Sequence, residues 1–318
     1  MKILIGADIS QEKMLRLRAA APGAEIATVA DRTAALAQIA DADAYVPGPW
    51  DEGVLAAAGR LRWVHFRWAG VTGQVFPAMV ESAVVLTNSA GVFAIPMAEH
   101  ALALMLALAR ALNVCLPPSP EDPWRATAER ARPRMRELHG ATLGILGYGG
   151  IGRATAQRAR GFGMRVLALR RHPEPDEFAD AVWGLERLDD LLRESDYLLV
   201  SCALTDETRG MIGERELALM KPHAVIVNVA RGAVIAAPAL LRAQQKRRIG
   251  GAGLDVTDPE PLPADSPLWR MDNVIITPHV SGSSPETSRR QFELLEENVR
   301  RFAAGRDLLN VEDKRAGY

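Results

Sequence analysis

TLGILGYGGIGRATAQRARGFGMRVLALRRH, residues 142–172, reads as an apolar strand, a glycine-rich turn, a helix and a second apolar strand. The strand ends at Leu146 and a helical pattern runs from Ile151 to Phe162. Between them, Gly147, Gly149 and Gly152 keep the GxGxxG spacing around Gly150 and Ile151. Each glycine answers a separate demand. Gly147 suits a tight turn, Gly149 lets the backbone approach a pyrophosphate, and Gly152 lets helix and strand pack closely. The helix N-terminus adds unpaired N–H groups and partial positive charge, which favour phosphate. The stretch is therefore read as a dinucleotide-binding βαβ unit.

The end of the second strand selects the dinucleotide. An NAD site wants Asp or Glu there, to accept from the ribose hydroxyls. This chain has Arg170, Arg171 and His172 instead. A carboxylate would repel a 2′-phosphate, whereas arginine binds it with forked, charge-assisted hydrogen bonds. NADP(H) is expected over NAD(H), which stays as the alternative.

Outward from this unit, short β-branched runs alternate with helical stretches. Upstream, strands are predicted at 2–5, 25–29, 44–46, 63–66 and 84–86, with helices near 10–20, 33–40, 51–58 and 73–81. A long apolar helix is predicted from Ile95 to Val114, stopped by four prolines between 117 and 123. An Arg/Glu-rich exposed arm follows, read as a linker or an oligomer contact. Downstream, strands are predicted at 197–201, 224–229, 251–254 and 274–277, with helices near 186–193, 238–245 and 285–304. Such alternation implies parallel sheets covered on both faces, and 318 residues accommodate two doubly wound domains.

Bulk composition excludes several classes. A formal net charge of -1 gives no field for nucleic acid or an anionic membrane. Cys115 and Cys202 are far apart and outside any CxxC pair, so neither a disulfide framework nor a metal site is expected. The N-terminus reads as a buried strand without signal-peptide features, and no apolar run approaches a membrane span. The expected location is cytoplasmic.

Three later segments each begin where a predicted strand ends: NVARG (228–232), LDVTDPEPLP (254–263) and TPHVSG (277–282). In an open α/β sheet ligands bind at that edge, so Arg231, Glu260 and His279 are expected to converge there. With GYGGIG, LRWVHFRWAGV (61–71), AEHALALMLALAR (98–110) and ALTDETRGMIG (203–213), they make nearly the whole chain resemble the D-2-hydroxyacid dehydrogenase family.

The resemblance implies a Rossmann-type cofactor domain (96–284) and a flavodoxin-like substrate domain built from 1–95 and 285–318. It implies an oxidoreductase moving a hydride between a nicotinamide and a small 2-oxo or 2-hydroxy acid, with closure over the crevice and a homodimer joined through 101–139. It makes His279 the general acid and Glu260 the partner that orients it and favours its protonated form. Arg231 grips the substrate, and the backbone at Ala69, Gly70 and Val71 helps hold its carboxylate. Asp255 matches a contact to the nicotinamide carboxamide, and Cys202, Thr208, Val229, Ala230 and Gly282 line the cofactor. His65, His100, His139, His172 and His223 are read as structural or surface residues without such partners.

Departures from the family pattern are Arg170–Arg171, Cys202–Ala203 where a proline is common, and a bulky cationic His65-Phe66-Arg67-Trp68 before the Ala69–Val71 loop. Arg67 meets a second anionic group on the substrate or faces solvent; the sequence leaves both open. Glyoxylate or hydroxypyruvate reduction is the first reading. The alternatives are an NAD-dependent phosphoglycerate dehydrogenase and a dinucleotide-sensing protein of the corepressor type.

Overall fold

A computed structural model describes residues 1–6, 9–71, 73–116 and 124–315. The expected proline stop at 117–123 lies outside them. The chain divides into two compact units, residues 1–93 with 284–318, and residues 94–283. Each is a parallel α/β sheet, as the alternation requires.

The first unit carries β1 (Lys2–Ile5), β2 (Glu25–Thr28), β3 (Ala44–Val46), β4 (Trp63–His65) and β5 (Val85–Thr87), in the order β2-β1-β3-β4-β5. This is the flavodoxin-like order. Most of its helices begin on side-chain caps. Asp31 accepts from the Ala34 N–H at 2.8 Å and Asp51 from the Val54 N–H at 3.0 Å, satisfying donors the helix leaves open. The last helix, Pro285–Ala303, is capped by Ser284 and buries Phe292, Leu295 and Val299 against Ile3, Ile5 and Trp63. The helix expected from 73 is only Pro77–Glu81. Gly73 has φ +80°, Val71 and Gln74 close a turn, and Pro77 presets the first helical position.

The second unit carries β6 (Thr142–Leu146), β7 (Arg165–Leu169), β8 (Ala181–Trp183), β9 (Tyr197–Val200), β10 (Val225–Asn228), β11 (Gly251–Leu254) and β12 (Val274–Ile276). Their order is β12-β11-β10-β9-β6-β7-β8, all parallel. The strand order reverses between β6 and β9, and the glycine-rich turn leaves β6 at that switch point, where such sheets bind ligands. The helix Ala94–Ala109 lies on one face, burying Ala98, Ala101, Leu102, Leu104, Met105 and Leu108. Glycines in β11 let it close: a Cβ on Gly253 would stand 3.0 Å from that of Leu104.

The long helix stops at Ala109 rather than reaching Val114. Ala111 adopts φ +53°, and a short helix, Leu112–Cys115, restarts beyond it. The terminal carbonyl of Ala109 is taken by the Arg136 N–H at 2.8 Å, so the helix ends on a partner 27 residues away. The Arg/Glu-rich arm contains the helix Trp124–Ala131. No helix of the described residues is long and apolar enough to cross a membrane.

Candidate active site

The glycine turn has the geometry its spacing predicts. Gly147 has φ +99°, and a Cβ there would lie 2.4 Å from the Cys202 nitrogen. A Cβ on Gly152 would lie 2.6 Å from the Gly147 carbonyl oxygen and 2.9 Å from the Ile145 side chain. A Cβ on Gly149, the N-cap of the helix Gly150–Gly161, would meet nothing within 4 Å. Two glycines are thus demanded by packing and the third keeps the helix N-terminus open. This cradle fits a dinucleotide pyrophosphate, with the N–H groups of Gly150 and Ile151 at the helix start as donors.

The turn is tied to the end of β7, because the N–H groups of Gly147 and Tyr148 both donate to the Leu169 carbonyl, at 3.1 and 2.9 Å. Arg170 and Arg171 follow immediately. Arg171 donates to Glu207 at 2.7 Å, and Arg170 lies 3.9 Å from Glu174. The next layer corresponds to no sequence motif. The Tyr148 hydroxyl donates to Asp176 at 2.9 Å, and Arg153 donates to the other oxygen of Asp176 at 2.7 Å. Burial and that carboxylate push the Tyr148 phenol up. Burial alone would raise Asp176, but bonds from Phe178, Arg153 and Tyr148 hold it below its ordinary value. This braces the segment after the arginines against the glycine turn.

Cys202 stands at the exit of β9, beside Gly147, and burial pushes its thiol up to about 11. A neutral thiol packs rather than reacts. Thr208 is spent internally, donating to the Ala203 carbonyl at 2.7 Å and accepting from the Thr205 N–H at 2.8 Å. Val229 and Ala230 are buried where β10 ends, and Gly282 is half-buried.

Arg231, Glu260 and His279 leave three adjacent strands. Asn228, Leu254 and Ile276 are in register across β10, β11 and β12, so the segments emerge side by side at about 4.8 Å per strand. Asn228 shapes the first. Its Oδ1 accepts from the Ala230 N–H and its amide donates to the Arg231 carbonyl, both at 2.9 Å. Gly232 then presses on the second segment, where a Cβ would stand 2.0 Å from the Thr257 carbonyl. Glu260 sits between two prolines, each in a cis peptide.

The third segment places the imidazole. His279 has φ +54°, a left-handed backbone state that few non-glycine residues adopt. Its N–H holds to the Asp255 carbonyl at 2.9 Å and the Thr277 carbonyl at 3.0 Å. Its Nδ1 meets Glu260 Oε1 at 2.6 Å, with both side chains close to half exposed. With Nδ1 committed to a carboxylate, Nε2 is the atom left for a reactant. Glu260 and His279 therefore meet directly, and Arg231 is joined to them through the packed 230–234 and 256–260 segments.

Asp255 ties two of these segments together. Its side chain is fully buried. Oδ1 accepts from Thr277 Oγ1 at 2.6 Å and the Val280 N–H at 3.0 Å, and Oδ2 from the Ser281 N–H at 3.0 Å. Burial would raise this carboxyl, but bonds from Ser281, Thr277 and Val280 hold it low. The carboxylate pins the segment that carries His279. His100, expected to lack partners, joins this network with Nε2 2.9 Å from Thr277 Oγ1 and 3.6 Å from Asp255 Oδ1. In the other unit, Ala69 and Gly70 are half-buried and Val71 is buried. His65 is 1% exposed, and Arg67 is exposed. Among the described residues, no three His, Cys, Asp or Glu gather to hold a metal ion.

Residues 102–281 match the family model of the D-isomer specific 2-hydroxyacid dehydrogenase NAD-binding domain. A glyoxylate reductase of Korarchaeum cryptofilum is 37% identical over 284 residues, 86% of this chain and 85% of that one. An NADPH-dependent glyoxylate/hydroxypyruvate reductase from Sinorhizobium meliloti, solved with NADP and sulfate, superposes with a TM-score of 0.82 at 26% identity, covering 100% and 99% of the two chains. A D-isomer specific 2-hydroxyacid dehydrogenase from Xanthobacter autotrophicus, solved with NADPH and MES, gives a TM-score of 0.81 at 30% identity over 100% and 99%. An open glycine cradle at the sheet's switch point, a His–Glu pair at its C-terminal edge and similarity over almost the full length agree: the chain belongs to the D-isomer specific 2-hydroxyacid dehydrogenase family and is an NAD(P)-dependent 2-hydroxyacid dehydrogenase.

Proposed function

We propose that the protein is an NADPH-preferring reductase of short 2-oxo acids, glyoxylate and hydroxypyruvate among them, yielding the D-2-hydroxy acid. The observation that carries the cofactor preference is Arg170–Arg171 at the end of β7, hydrogen-bonded through Leu169 to the glycine turn, where an NAD site would carry a carboxylate. Glu207 holds one nitrogen of Arg171, which limits the rotamers the fork must give up on meeting a phosphate. The names of the glyoxylate reductase relatives support the substrate class.

In this reading the unit of residues 94–283 binds the dinucleotide, and the unit formed by the two ends of the chain binds the acid. The bound nicotinamide supplies the hydride. Arg231 holds the carboxylate and carbonyl of the substrate, which converts a collision into an oriented encounter. The backbone at Ala69, Gly70 and Val71 recognises the same carboxylate. His279 delivers a proton from Nε2 to the carbonyl oxygen while Glu260 keeps Nδ1 hydrogen-bonded and stabilises the imidazolium. Asp255 fixes the segment between them. A homodimer formed through 101–139 belongs to the same proposal.

Steady-state kinetics with both cofactors and a panel of 2-oxo acids test it. The NADPH reaction should exceed the NADH reaction in kcat/KM by about ten- to a hundredfold, the worth of charge-assisted hydrogen bonds to a 2′-phosphate. The double substitution Arg170→Ala/Arg171→Ala should erase that ratio. A wild-type preference for NADH refutes the cofactor assignment. Tight NADPH binding without turnover of any acid would favour the dinucleotide sensor.

A further inference from the structure

Three hydrogen bonds, one from the last helix and two from the residues after β5, converge on the segment leading into Ala69–Val71. The Arg67 carbonyl accepts from Gln291 Nε2 on the last helix. The Trp68 carbonyl accepts from the Ser89 N–H at 3.1 Å, and the Ala69 carbonyl from Asn88 Nδ2 at 2.5 Å. A trans peptide is planar, with its N–H pointing opposite to its C=O. Each held carbonyl therefore fixes the direction of the next N–H, those of Trp68, Ala69 and Gly70.

Asn88 is the least replaceable of these groups. It is 1% exposed, and every polar atom of its side chain is engaged. Oδ1 accepts from the Ala90 N–H at 2.9 Å, and the amide donates to the Ala69 carbonyl and to Glu312 Oε1. Glu312 lies in the tail beyond the last helix, which is stitched along β5. Thr87 bridges Val311 in antiparallel fashion, and the Glu312 N–H donates to the Leu86 carbonyl at 2.9 Å. The Asn88 N–H donates to the Asn310 carbonyl at 3.2 Å, and Lys314 donates to the Ser82 carbonyl at 2.6 Å.

A carboxylate in this place is costly. Its Oε2 is buried without a hydrogen-bond partner among the described residues, and burial pushes the group up. An apolar side chain would pack there at less expense. What the carboxylate adds is a second acceptor for the Asn88 amide, which holds its NH2 in place against the Ala69 carbonyl.

We propose that Glu312 is a positioning residue for substrate binding: through Asn88 it orients the Ala69–Gly70 peptide whose N–H recognises the substrate carboxylate. This rests on the reading of 69–71 as the carboxylate loop, and the experiment separates the two. Glu312→Ala should raise KM for glyoxylate roughly tenfold while kcat stays within about twofold and NADPH affinity is unchanged. Glu312→Gln keeps an acceptor without the charge and should restore most of the wild-type KM. An unchanged KM in Glu312→Ala overturns the proposal. So does a loss in Glu312→Gln equal to that in Glu312→Ala. Should the alanine variant not fold, Glu312→Leu fills the space without an acceptor and takes its place.

Hydrogen exchange of the 67–76 peptide in NADPH-loaded enzyme, with and without oxamate, completes the test. Oxamate should slow exchange in the wild type and not in Glu312→Ala at the same concentration. Equal slowing in both defeats the proposal alone. No slowing in the wild type removes the carboxylate-loop reading, and the proposal with it.

Discussion

Lowering the pH from 7 to 5 should destabilise the first unit through one buried histidine. His65, at the end of β4, is 1% exposed, and its Nδ1 lies 2.8 Å from Thr87 Oγ1. That hydroxyl also accepts from the Trp63 indole at 2.8 Å, and His65 Nε2 is buried without a hydrogen-bond partner among the described residues. Burial, with the charge of Arg67, lowers His65 from 6.5 to about 4. The folded unit thus keeps the ring neutral while the unfolded chain takes up a proton below its ordinary value. The penalty is absent above pH 6.5, grows as the pH falls, and levels off near pH 4. A shift of this size is worth about 3 kcal/mol in full and about 2 kcal/mol at pH 5. Between pH 6.5 and 5 most carboxylates remain ionised in both states, so the histidine dominates the slope. Urea titrations at pH 7 and 5, followed by hydrogen exchange in β4 and β5, isolate this unit from the rest of the chain. His65→Gln offers Thr87 a neutral partner and cancels the other five histidines in the comparison. The wild type should lose about 2 kcal/mol more than the variant. Equal losses would mean that His65 is protonated, or reaches water, in the native fold, and the argument from burial would fail.

Two further substitutions test the chemistry and the cradle. His279→Ala should lower kcat by about a hundredfold or more with little change in NADPH affinity, and near wild-type turnover would place the proton donor elsewhere. Gly147→Ala must fit a Cβ 2.4 Å from the Cys202 backbone at φ +99°, so it should cost roughly 1–3 kcal/mol or more in urea titration. Gly149→Ala meets nothing within 4 Å and should keep its stability while weakening dinucleotide binding measured by calorimetry; unchanged binding would remove Gly149 from the phosphate site.

Gly147 and Gly149 also show what a sequence makes legible. Spacing between two elements of known type defines a local geometry, and the fold reproduces it because βαβ packing leaves few alternatives. The meeting of Glu260 and His279 was legible for a similar reason. Each closes a strand of one parallel sheet, and parallel strands deliver their C-terminal ends to one edge. β8 escaped because three half-buried residues at a sheet edge carry no periodicity. The helix Glu214–Leu219 was missed despite a usable signal: Glu216 reaches back to accept from the Gly213 N–H at 3.0 Å, the one half of a capping box that a glycine N-cap allows. The break at Ala111 depends on Arg136, and the partners of His100 lie 155 and 177 positions away.

Those distant pairings have a common physical origin. A parallel strand is joined to its neighbour by a crossover, so residues that meet at the sheet edge are separated by whole helices, and their match is set by strand register rather than by local pattern. Asp255 is the sharpest instance. Both of its carboxylate oxygens accept from the segment that follows β12, from Thr277, Val280 and Ser281. The register of β11 against β12 makes that possible, pairing Leu254 with Ile276 so that the next residues of each strand lie within hydrogen-bonding reach. The same register delivers the Asp255 carbonyl to the His279 N–H, fixing a backbone of positive φ beneath the imidazole. Motif spacing can therefore nominate the acid and its partner, while the angle at which the ring is presented belongs to the sheet.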